Sequence, residues 1–523
     1  MKTAKIKVHL YGARFVAVCG FRWRNAVDKA GFNWDNEKRE WYTYDPRIAA
    51  RLREYASGEA EEVLEKVLLD ISPWAGPIPY PKDLNPLPFQ IPAARFSLSR
   101  NHSYQYAAPG MGKTIIATLI VNGWLSKNPD QRVVYMCPSF LVRNVENELL
   151  KWGLDVGVEH FDEPQLFGNV MILPSSLLHR EELFKEMQHF FSLSKRPTPA
   201  LIGDEAHQFK NDEAERTRIL FGHKDRPALV DLFSKTVMMS GTAMPNRALE
   251  LFPVLSKLAP QTIDYMNRDQ FGMKYCAGRW NGFAYEYSGS SNLTDLAKRV
   301  QGTYMYKLKK SELKLPPLTE EVFVVADDLD PKLHDFETAL LKEHQLEDLM
   351  KGRIEATFRY RDIPLPTYQR FLGLYKVKHA VDWIDDVMEN SEESMIVFAR
   401  HREVIARLEA ECTKRGWKPI IISADMKSEN RFEEVEFFQK TKARRLLIGS
   451  LRTMGLGFNI TKATRVLHVE PAWTPADNDQ GTDRAHRYGQ KNPVFAEYMV
   501  YKNSVDHQVL KVVLRKRKLT SYL

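Results

Sequence analysis

A glycine-rich stretch, Ala107-Ala-Pro-Gly-Met-Gly-Lys-Thr114, constrains the fold of this chain more than any other feature. It follows an extended run and precedes an apolar helical pattern, so it predicts a strand, a tight loop and a helix in succession. Ala107 stands where the full phosphate-loop pattern has its first glycine. The arrangement is typical of a parallel α/β sheet with a ligand at the end of one strand.

The residue types within this stretch suit a nucleotide phosphate. Gly110 and Gly112, on either side of Met111, let backbone N–H groups approach phosphate oxygens at the start of a helix. Lys113 would neutralise the β- and γ-phosphates, and Thr114 would offer its hydroxyl to Mg²⁺. We therefore predict a nucleotide site with ATP and Mg²⁺ as its ligands.

Two further features support a nucleotide site, the first of them by pointing to hydrolysis. Residues 199–211 contain a short apolar strand pattern that ends in Asp-Glu-Ala-His, and open sheets bind ligands at such strand ends. Asp204 would hold Mg²⁺ through water, and Glu205 would orient or deprotonate the attacking water. Gln90 precedes the glycine-rich stretch, where its amide would read the adenine edge through paired donor and acceptor bonds.

A third strand end follows at Met239–Asn246, with Ser240 and Thr242 flanking Gly241. It is either a loop with ordinary turn chemistry or an element that couples the hydrolytic site to a neighbouring surface.

Length and composition set broader limits. The 523 residues suggest several domains, and no long charge-free apolar run predicts a membrane span. Four cysteines far apart argue against a zinc site and a disulfide framework and suit a reducing compartment. The net charge of +8 suits a polyanionic partner, but ordinary solubility explains it equally well.

The first 58 residues read as a small unit of strands followed by a helix at 46–56. Trp34 and Trp41 alternate with cations there, so they suit either base stacking or the filling of a small core. A helix at Glu59–Leu69 and a proline-rich linker follow.

Five stretches together carry a family resemblance. Gly-Met-Gly-Lys-Thr, Asp-Glu-Ala-His-Gln-Phe-Lys-Asn and Ser-Gly-Thr-Ala-Met-Pro-Asn resemble motifs I, II and III of superfamily 2 helicases, specifically the Snf2 branch. Residues 445–461 are similar to motif V. Gln480-Gly-Thr-Asp-Arg-Ala-His-Arg-Tyr-Gly-Gln490 is similar to the Snf2 form of motif VI.

Within that branch, Phe271-Gly-Met-Lys-Tyr-Cys and Tyr287–Leu293 resemble the SMARCAL-like and ZRANB-like annealing-helicase group. Residues 30–43 are similar, more weakly, to the HARP module of those proteins. The resemblance implies an α/β fold with two tandem RecA-like parallel-sheet lobes after a small α+β module. The expected divisions are a HARP-like nucleic-acid-binding module at 1–58, a helix and linker at 59–83, lobe 1 at 84–318 with an insertion at about 263–310, and lobe 2 at 319–523.

The resemblance also implies roles for individual residues. Arg484 and Arg487, with Gln480, would act catalytically from lobe 2 as motif VI does, the two arginines as arginine fingers. Gly455 and Gly457 of motif V would contact the nucleotide. His207 would couple the site to motif III.

Nucleic-acid contacts are implied for Ser139, Ser175 and Thr453, although a helix-capping role suits such hydroxyls equally well. The chain departs from the family at Thr453-Met, where Ala-Gly is usual, and at Glu470, which replaces an Asp. Neither change removes a catalytic group.

These features favour an ATP-dependent translocase on duplex or forked DNA that remodels or reanneals strands. A strand-separating DNA or RNA helicase and a non-catalytic nucleotide-sensing scaffold are the alternatives. We expect a monomer with single-stranded DNA-binding or replication proteins as possible partners and no membrane contact. The expected location is the cytoplasm of a bacterial or phage-infected cell, or the nucleus of a eukaryote.

Overall fold

The computed structural model forms two compact units. It describes residues 6–520 except 71–72, 155–168 (apart from the short strand at Glu159–His160), 181, 193–196, 224–225, 242–247, 281, 283–284, 288, 326–334, 336–358, 361–362, 455–457 and 503. The first unit comprises Met1–Ala108 and Gly112–Lys309, and the second is mainly Lys310–Ser521. The division therefore falls before the expected boundary at 318/319, and Lys310 forms an ion pair with Asp483 inside the second unit.

The N-terminal module is a four-stranded antiparallel sheet in the order β1-β2-β4-β3 with short helices. Its elements are β1 (Ile6–Tyr11), β2 (Arg14–Cys19), α1 (Arg24–Lys29), β3 (Asn33–Asp35), β4 (Glu40–Thr43), α2 (Pro46–Ala49) and α3 (Glu59–Asp70). The predicted helix at 46–56 is instead α2 followed by a 3-10 helix, with Leu52 non-helical. The predicted helix at Glu59 is confirmed.

The rest of the first unit surrounds a seven-stranded parallel sheet in the order β13-β5-β10-β9-β6-β8-β7. Its strands are β5 (His102–Ala107), β6 (Val133–Cys137), β7 (Glu159–His160), β8 (Val170–Pro174), β9 (Ala200–Gly203), β10 (Lys235–Ser240) and β13 (Met305–Leu308). Its main helices are α4 (Gln90–Leu98), α5 (Lys113–Lys127), α6 (Val142–Lys151), α7 (Leu183–Ser192), α8 (Glu215–Phe221) and α9 (Phe252–Leu258).

The neighbouring strands β6 and β9 of this sheet are largely apolar because helices cover both faces. Every residue of β6 and β9 is buried. Polar residues therefore appear where these strands end, and the carboxyl ends of parallel strands meet at one edge of the sheet. That edge carries the three motif-bearing loops after β5, β9 and β10.

An insertion between β10 and β13 joins the N-terminal module to the sheet. It contains α10 (Arg268–Tyr275), the two-stranded ribbon β11 (Arg279–Trp280) and β12 (Tyr285–Glu286), and α11 (Leu293–Val300). Arg299 of α11 donates to Asp264 at 2.8 Å and to the hydroxyl of Tyr44 in the module at 3.1 Å. Asp264 also accepts a hydrogen bond from the backbone N–H of Ala13. The module thus shares a polar junction with the insertion.

The second unit surrounds a six-stranded parallel sheet in the order β14-β21-β20-β17-β19-β18. Its strands are β14 (Leu318–Val325), β17 (Ser394–Phe398), β18 (Ile420–Ile422), β19 (Leu446–Gly449), β20 (Ala463–His468) and β21 (Val494–Tyr501), with the separate pair β15 (Arg359–Tyr360) and β16 (Ile363–Pro364). Its helices are α12 (Leu365–Asn390), α13 (Arg402–Lys414), α14 (Ser428–Lys440), α15 (Leu451–Met454), α16 (Pro475–Thr482) and α17 (Val505–Thr520).

Four apolar runs of the sequence, at 394–399, 418–423, 445–449 and 465–469, predict buried strands in this region, and they are confirmed as β17 to β20. The predicted fold class is confirmed too, since two parallel-sheet units follow a small antiparallel sheet. In the described part of the chain, no helix combines the length and apolar character needed to cross a membrane.

Candidate active site

The glycine-rich loop has the backbone geometry that the sequence predicted. Gly110 has φ 85° and Gly112 has φ 75°, a left-handed region that side chains disfavour. α5 begins directly afterwards, at Lys113. A Cβ at Gly112 would lie 2.5 Å from Nε2 of Gln90, so the buried Gln90 side chain rests against the loop.

Lys113 lies beside the carboxylate of Glu205, which follows the end of β9. Its Nζ lies 3.3 Å from Oε1 of Glu205, and both side chains are 17% exposed. Burial by itself would raise the pKa of Glu205, but the charge of Lys113 and a hydrogen bond from His207 outweigh it, so the pKa is lowered. Glu205 is also one of the few non-glycine residues with positive φ, 51°. A carboxylate kept ionised beside a cation suits the orientation of an attacking water.

The neighbouring Asp204 behaves in the opposite way. Burial, followed by the charge of Glu205, raises the pKa of Asp204 to about 6. Its carboxylate accepts from the backbone N–H of Glu205 at 2.8 Å and from the hydroxyl of Tyr135 at 3.3 Å. Sequence reasoning missed Tyr135, because a tyrosine within a buried strand reads as core.

Tyr135 also bears on the predicted Mg²⁺ site. Its hydroxyl makes a hydrogen bond with the Thr114 side chain as well as with Asp204, so both predicted ligands border the same phenol. A hydroxyl and a carboxylate on one side of a phosphate loop are oxygen donors of the kind Mg²⁺ takes, with phosphate and water completing the shell. Among the described residues there is no cluster of three or more His, Cys, Asp or Glu that would hold a metal by itself. Thr114 and Asp204 fit a Mg²⁺ whose remaining ligands are phosphate and water.

The predicted coupling residues His207 and Ser240 are brought together. Nδ1 of His207 lies 3.1 Å from Oε2 of Glu205 and 3.1 Å from Oγ of Ser240. Ser240 in turn makes a side-chain hydrogen bond with Tyr104, whose pKa burial raises. This chain of polar groups connects the middle of β5 with the ends of β9 and β10. Thr242, the other predicted coupling residue, lies outside the described residues.

The second unit holds its own cluster of predicted site residues. The guanidinium groups of Arg484 and Arg487 both donate to the carbonyl of Phe458, at 3.2 and 2.8 Å. Nε of Arg484 donates to the carbonyl of Gln480 at 3.2 Å. Burial lowers the pKa of Arg487, against the opposing charge of Asp483, and Nε of Arg487 is buried with no partner among the described residues.

Such an unsatisfied donor is expected where a ligand supplies the missing acceptor. Gly455 and Gly457, expected to contact the nucleotide, lie outside the described residues.

Glu470, which stands where the family has an Asp, has a structural role. Its carboxylate accepts from the backbone N–H groups of Arg400 and His401 at 2.7 and 3.0 Å, and lies 2.6 Å from Nδ1 of His401. The longer side chain therefore ties the end of β20 to the end of β17.

The two serine hydroxyls predicted to contact nucleic acid in the first unit differ in their exposure to solvent. Oγ of Ser139 is exposed and lies 2.6 Å from Oγ of Ser176, which is exposed too. Ser175 is only 7% exposed and faces Gln208 at 3.3 Å. Ser176, rather than Ser175, therefore presents its side chain at the surface. The reason is local, because Ser175 begins a 3-10 helix whose first residue turns inward.

In the second unit, Thr453 is 8% exposed and exchanges capping hydrogen bonds with Ser450, the residue before α15. Its backbone N–H donates to Oγ of Ser450 at 3.0 Å, and its hydroxyl accepts from the backbone N–H of Ser450 at 3.2 Å. The side chain is thus engaged in starting α15, which was the alternative interpretation of such a residue.

The two tryptophans of the N-terminal module are not equivalent. Trp34 is 39% exposed, and its ring lies edge-on to Trp41 at 5.3 Å. Trp41 packs against the core of the module. Sequence reasoning missed Phe21, which is 81% exposed. Arg24 is one of the cations that alternate with the tryptophans, and its guanidinium lies 4.9 Å from the Phe21 ring and 5.6 Å from the Trp34 ring. Aromatic faces beside a cation are what a single nucleic-acid strand requires.

Comparison with known proteins gives one family-model match. The model described as "Helicase conserved C-terminal domain" matches residues 376–489, which include Arg484 and Arg487.

Curated relatives match over most of this chain. SWI/SNF-related matrix-associated actin-dependent regulator of chromatin subfamily A-like protein 1 of Xenopus tropicalis is 24% identical over 444 residues, 83% of this chain and 44% of the relative. The human DNA annealing helicase and endonuclease ZRANB3 is 25% identical over 452 residues, 83% of this chain and 40% of the relative. The chain thus spans less than half the length of these curated relatives.

Among solved structures, the Sulfolobus solfataricus SWI2/SNF2 ATPase core in complex with dsDNA covers 84% of this chain and 93% of its own. The sequence identity is 17% and the TM-score is 0.39.

Proposed function

Because the chain is similar to Snf2-type superfamily 2 helicases of the SMARCAL-like and ZRANB-like group, we propose that it is an ATP-dependent DNA translocase. It hydrolyses ATP to move on duplex or forked DNA and remodels or reanneals strands. The observation that carries the proposal is the contact set of Lys113, Glu205 and His207, in which one carboxylate is held ionised between a cation and an imidazole.

Each group has a separate task in this proposal. The loop glycines and Lys113 bind the phosphates, and Gln90 contacts the adenine. Thr114 and Asp204 would hold Mg²⁺, which supplies positive charge to the β- and γ-phosphates. Lys113 lies 3.3 Å from Glu205, so its ammonium would contact the γ-phosphate beside the carboxylate that orients the attacking water.

The predicted catalytic role of Arg484 and Arg487 remains part of the proposal. Arginines stabilise the charge that develops on the transferred phosphoryl group, and the buried, unpartnered Nε of Arg487 offers a donor for it. Gln480, Gly455 and Gly457 keep the roles that the resemblance implies.

The nucleic-acid surface is proposed in two places. The exposed pair Ser139 and Ser176 would contact a strand backbone in the first unit. Phe21, Arg24 and Trp34 would contact bases in the N-terminal module. The relatives of the chain include a protein named as a DNA annealing helicase. DNA is accordingly the proposed substrate, the protein acts as a monomer, and replication or single-stranded DNA-binding proteins are its proposed partners.

Steady-state ATP hydrolysis tests the proposal. Wild-type protein and Glu205→Gln are measured without nucleic acid and with single-stranded DNA, duplex, a model fork and matched RNA. We expect duplex or fork to stimulate the wild type, and Glu205→Gln to lose at least about a hundredfold, since activation of the water is lost. Glu213→Gln removes an exposed carboxylate nearby and serves as the matched control.

The other outcomes select among the alternatives. Stimulation by single strands or RNA alone favours a strand-separating helicase. Absence of hydrolysis with every substrate would overturn the motor and favour a nucleotide-sensing scaffold.

A further inference from the structure

The ribbon of β11 and β12 presents two large aromatic side chains to solvent. Trp280 and Tyr285 face each other across the ribbon, with ring centroids 5.1 Å apart and edge-on geometry. They are 58% and 52% exposed. The ribbon is a sheet of its own and is separate from the main sheet of the first unit. Adjacent exposed aromatics of this size mark an interaction surface.

The ribbon is fixed at its base. The Tyr285 ring stacks on Tyr287 with 9° between the ring planes, and Tyr287 is only 5% exposed. The hydroxyl of Tyr287 donates to Asp269 at 2.7 Å. Gly272 of α10 leaves the space that the Tyr287 ring occupies, since a Cβ there would overlap it. The exposed pair therefore packs against a buried aromatic side chain, so fixing the pair on binding costs little conformational entropy.

An exposed cation lies beside the exposed pair. The Arg279 side chain is 73% exposed, whereas its ion-pair partner Glu286, at 3.4 Å, is only 19% exposed. The guanidinium of Arg268 lies 5.6 Å from the Tyr287 ring and pairs with Asp212 at 2.5 Å. Arg279 is therefore the charge of the ribbon that a phosphate can reach.

We propose that Trp280 and Tyr285, here called the aromatic tip, stack on an unpaired base of a nucleic-acid strand, with Arg279 near the adjoining phosphate. The inference rests on the proposed function, because it requires a nucleic-acid substrate. Every base has a flat face, so such stacking tolerates any sequence, and the bases of a blunt duplex are already stacked on each other. The aromatic tip would therefore distinguish a fork or a single strand from a continuous duplex.

Nucleotide-free binding of the full chain provides the test. A fluorescein-labelled fork, a single strand and a blunt duplex of the same sequence are titrated at one salt concentration. We expect Trp280→Ala and Tyr285→Ala to weaken binding to the fork and the single strand by about tenfold, with duplex binding changed less than about twofold. Trp280→Phe, which keeps an aromatic face, should restore most of the affinity.

A base analogue locates the contact. The fluorescence of 2-aminopurine at the first unpaired position of the fork should be quenched by wild-type protein and much less by Trp280→Ala. Tyr265→Ala removes another exposed ring of the same insertion, 71% exposed, and should behave as wild type.

The results separate this inference from the proposed function. Equal fork affinity of wild type and Trp280→Ala, or an equal loss of affinity for the blunt duplex, would contradict base stacking by the aromatic tip. The proposed function would stand in that case if duplex still stimulates ATP hydrolysis. Failure of the wild type to bind any of the substrates would overturn both.

Discussion

Asp204 and Glu205 are adjacent in the chain, yet the pKa of one is raised and that of the other lowered. Asp204 is buried beside a second carboxylate, whereas Glu205 faces Lys113 and His207. A pair of titratable groups whose surroundings separate their pKa values is a common basis for dividing roles in catalysis.

At this scale we predict a pH-dependent effect of Asp204→Asn on stability. A carboxyl whose pKa is raised by folding, here from 3.8 to about 6, stabilises the folded state fully below the lower value and loses this contribution as pH rises through the higher one. Asparagine cannot ionise, so the variant should be more stable than wild type at pH 7.5 by on the order of 2 kcal/mol. Near pH 4 the difference should vanish.

Thermal melting of the nucleotide-free protein at both pH values measures this effect. Asp231→Asn, at an exposed acid, is the matched control and should show no such pH dependence. A variant no more stable than wild type at pH 7.5 would show that Asp204 is not a costly buried charge.

At the scale of elements, the junction between the N-terminal module and the insertion depends on α11. The Arg299 side chain is 5% exposed, pairs with Asp264 and Asp295, and stacks on the Tyr44 ring at 4.1 Å. These partners come from three separate segments. One guanidinium thus satisfies two carboxylates and a tyrosine hydroxyl, which is the fork geometry that arginine provides and lysine does not.

We predict that Arg299→Ala loosens the module. Removing the guanidinium leaves Asp264 without this cation and Asp295 with Lys274, 3.5 Å away, at a cost of about 3 kcal/mol. Amide hydrogen exchange in β1, β2 and β4 should become faster, while the main sheet of the first unit changes less. Lys440→Ala, which breaks an exposed pair with Glu436, should have almost no effect. Unchanged exchange in the module would mean that apolar packing alone holds it.

At the scale of the whole molecule, each unit has its own parallel sheet and its own apolar core. Such chains commonly unfold in more than one step. We predict two calorimetric transitions. A nonhydrolysable ATP analogue with Mg²⁺ should raise the melting temperature of the transition in which the unit containing Lys113 unfolds. The expected gain is about 2.7 kcal/mol at a hundred times the dissociation constant.

Hydrogen exchange assigns the transitions to the two units. Lys113→Ala should abolish the stabilisation. A nucleotide effect that persists in that variant would place the nucleotide site elsewhere.

The amino-acid sequence by itself determined the parallel-sheet class and most strands, and it predicted the nucleotide-binding groups. These features depend on local patterns: apolar runs form buried strands, and glycines allow the left-handed backbone at Gly112. Tertiary structure decided which hydroxyls are accessible, because Ser175 and Ser176 have the same side chain and differ only in which one turns inward. It also decided the contacts of Tyr135 with Asp204 and of Arg299 with Tyr44. These pairs are far apart in the chain, so only packing brings them together, and only packing leaves Trp280 exposed.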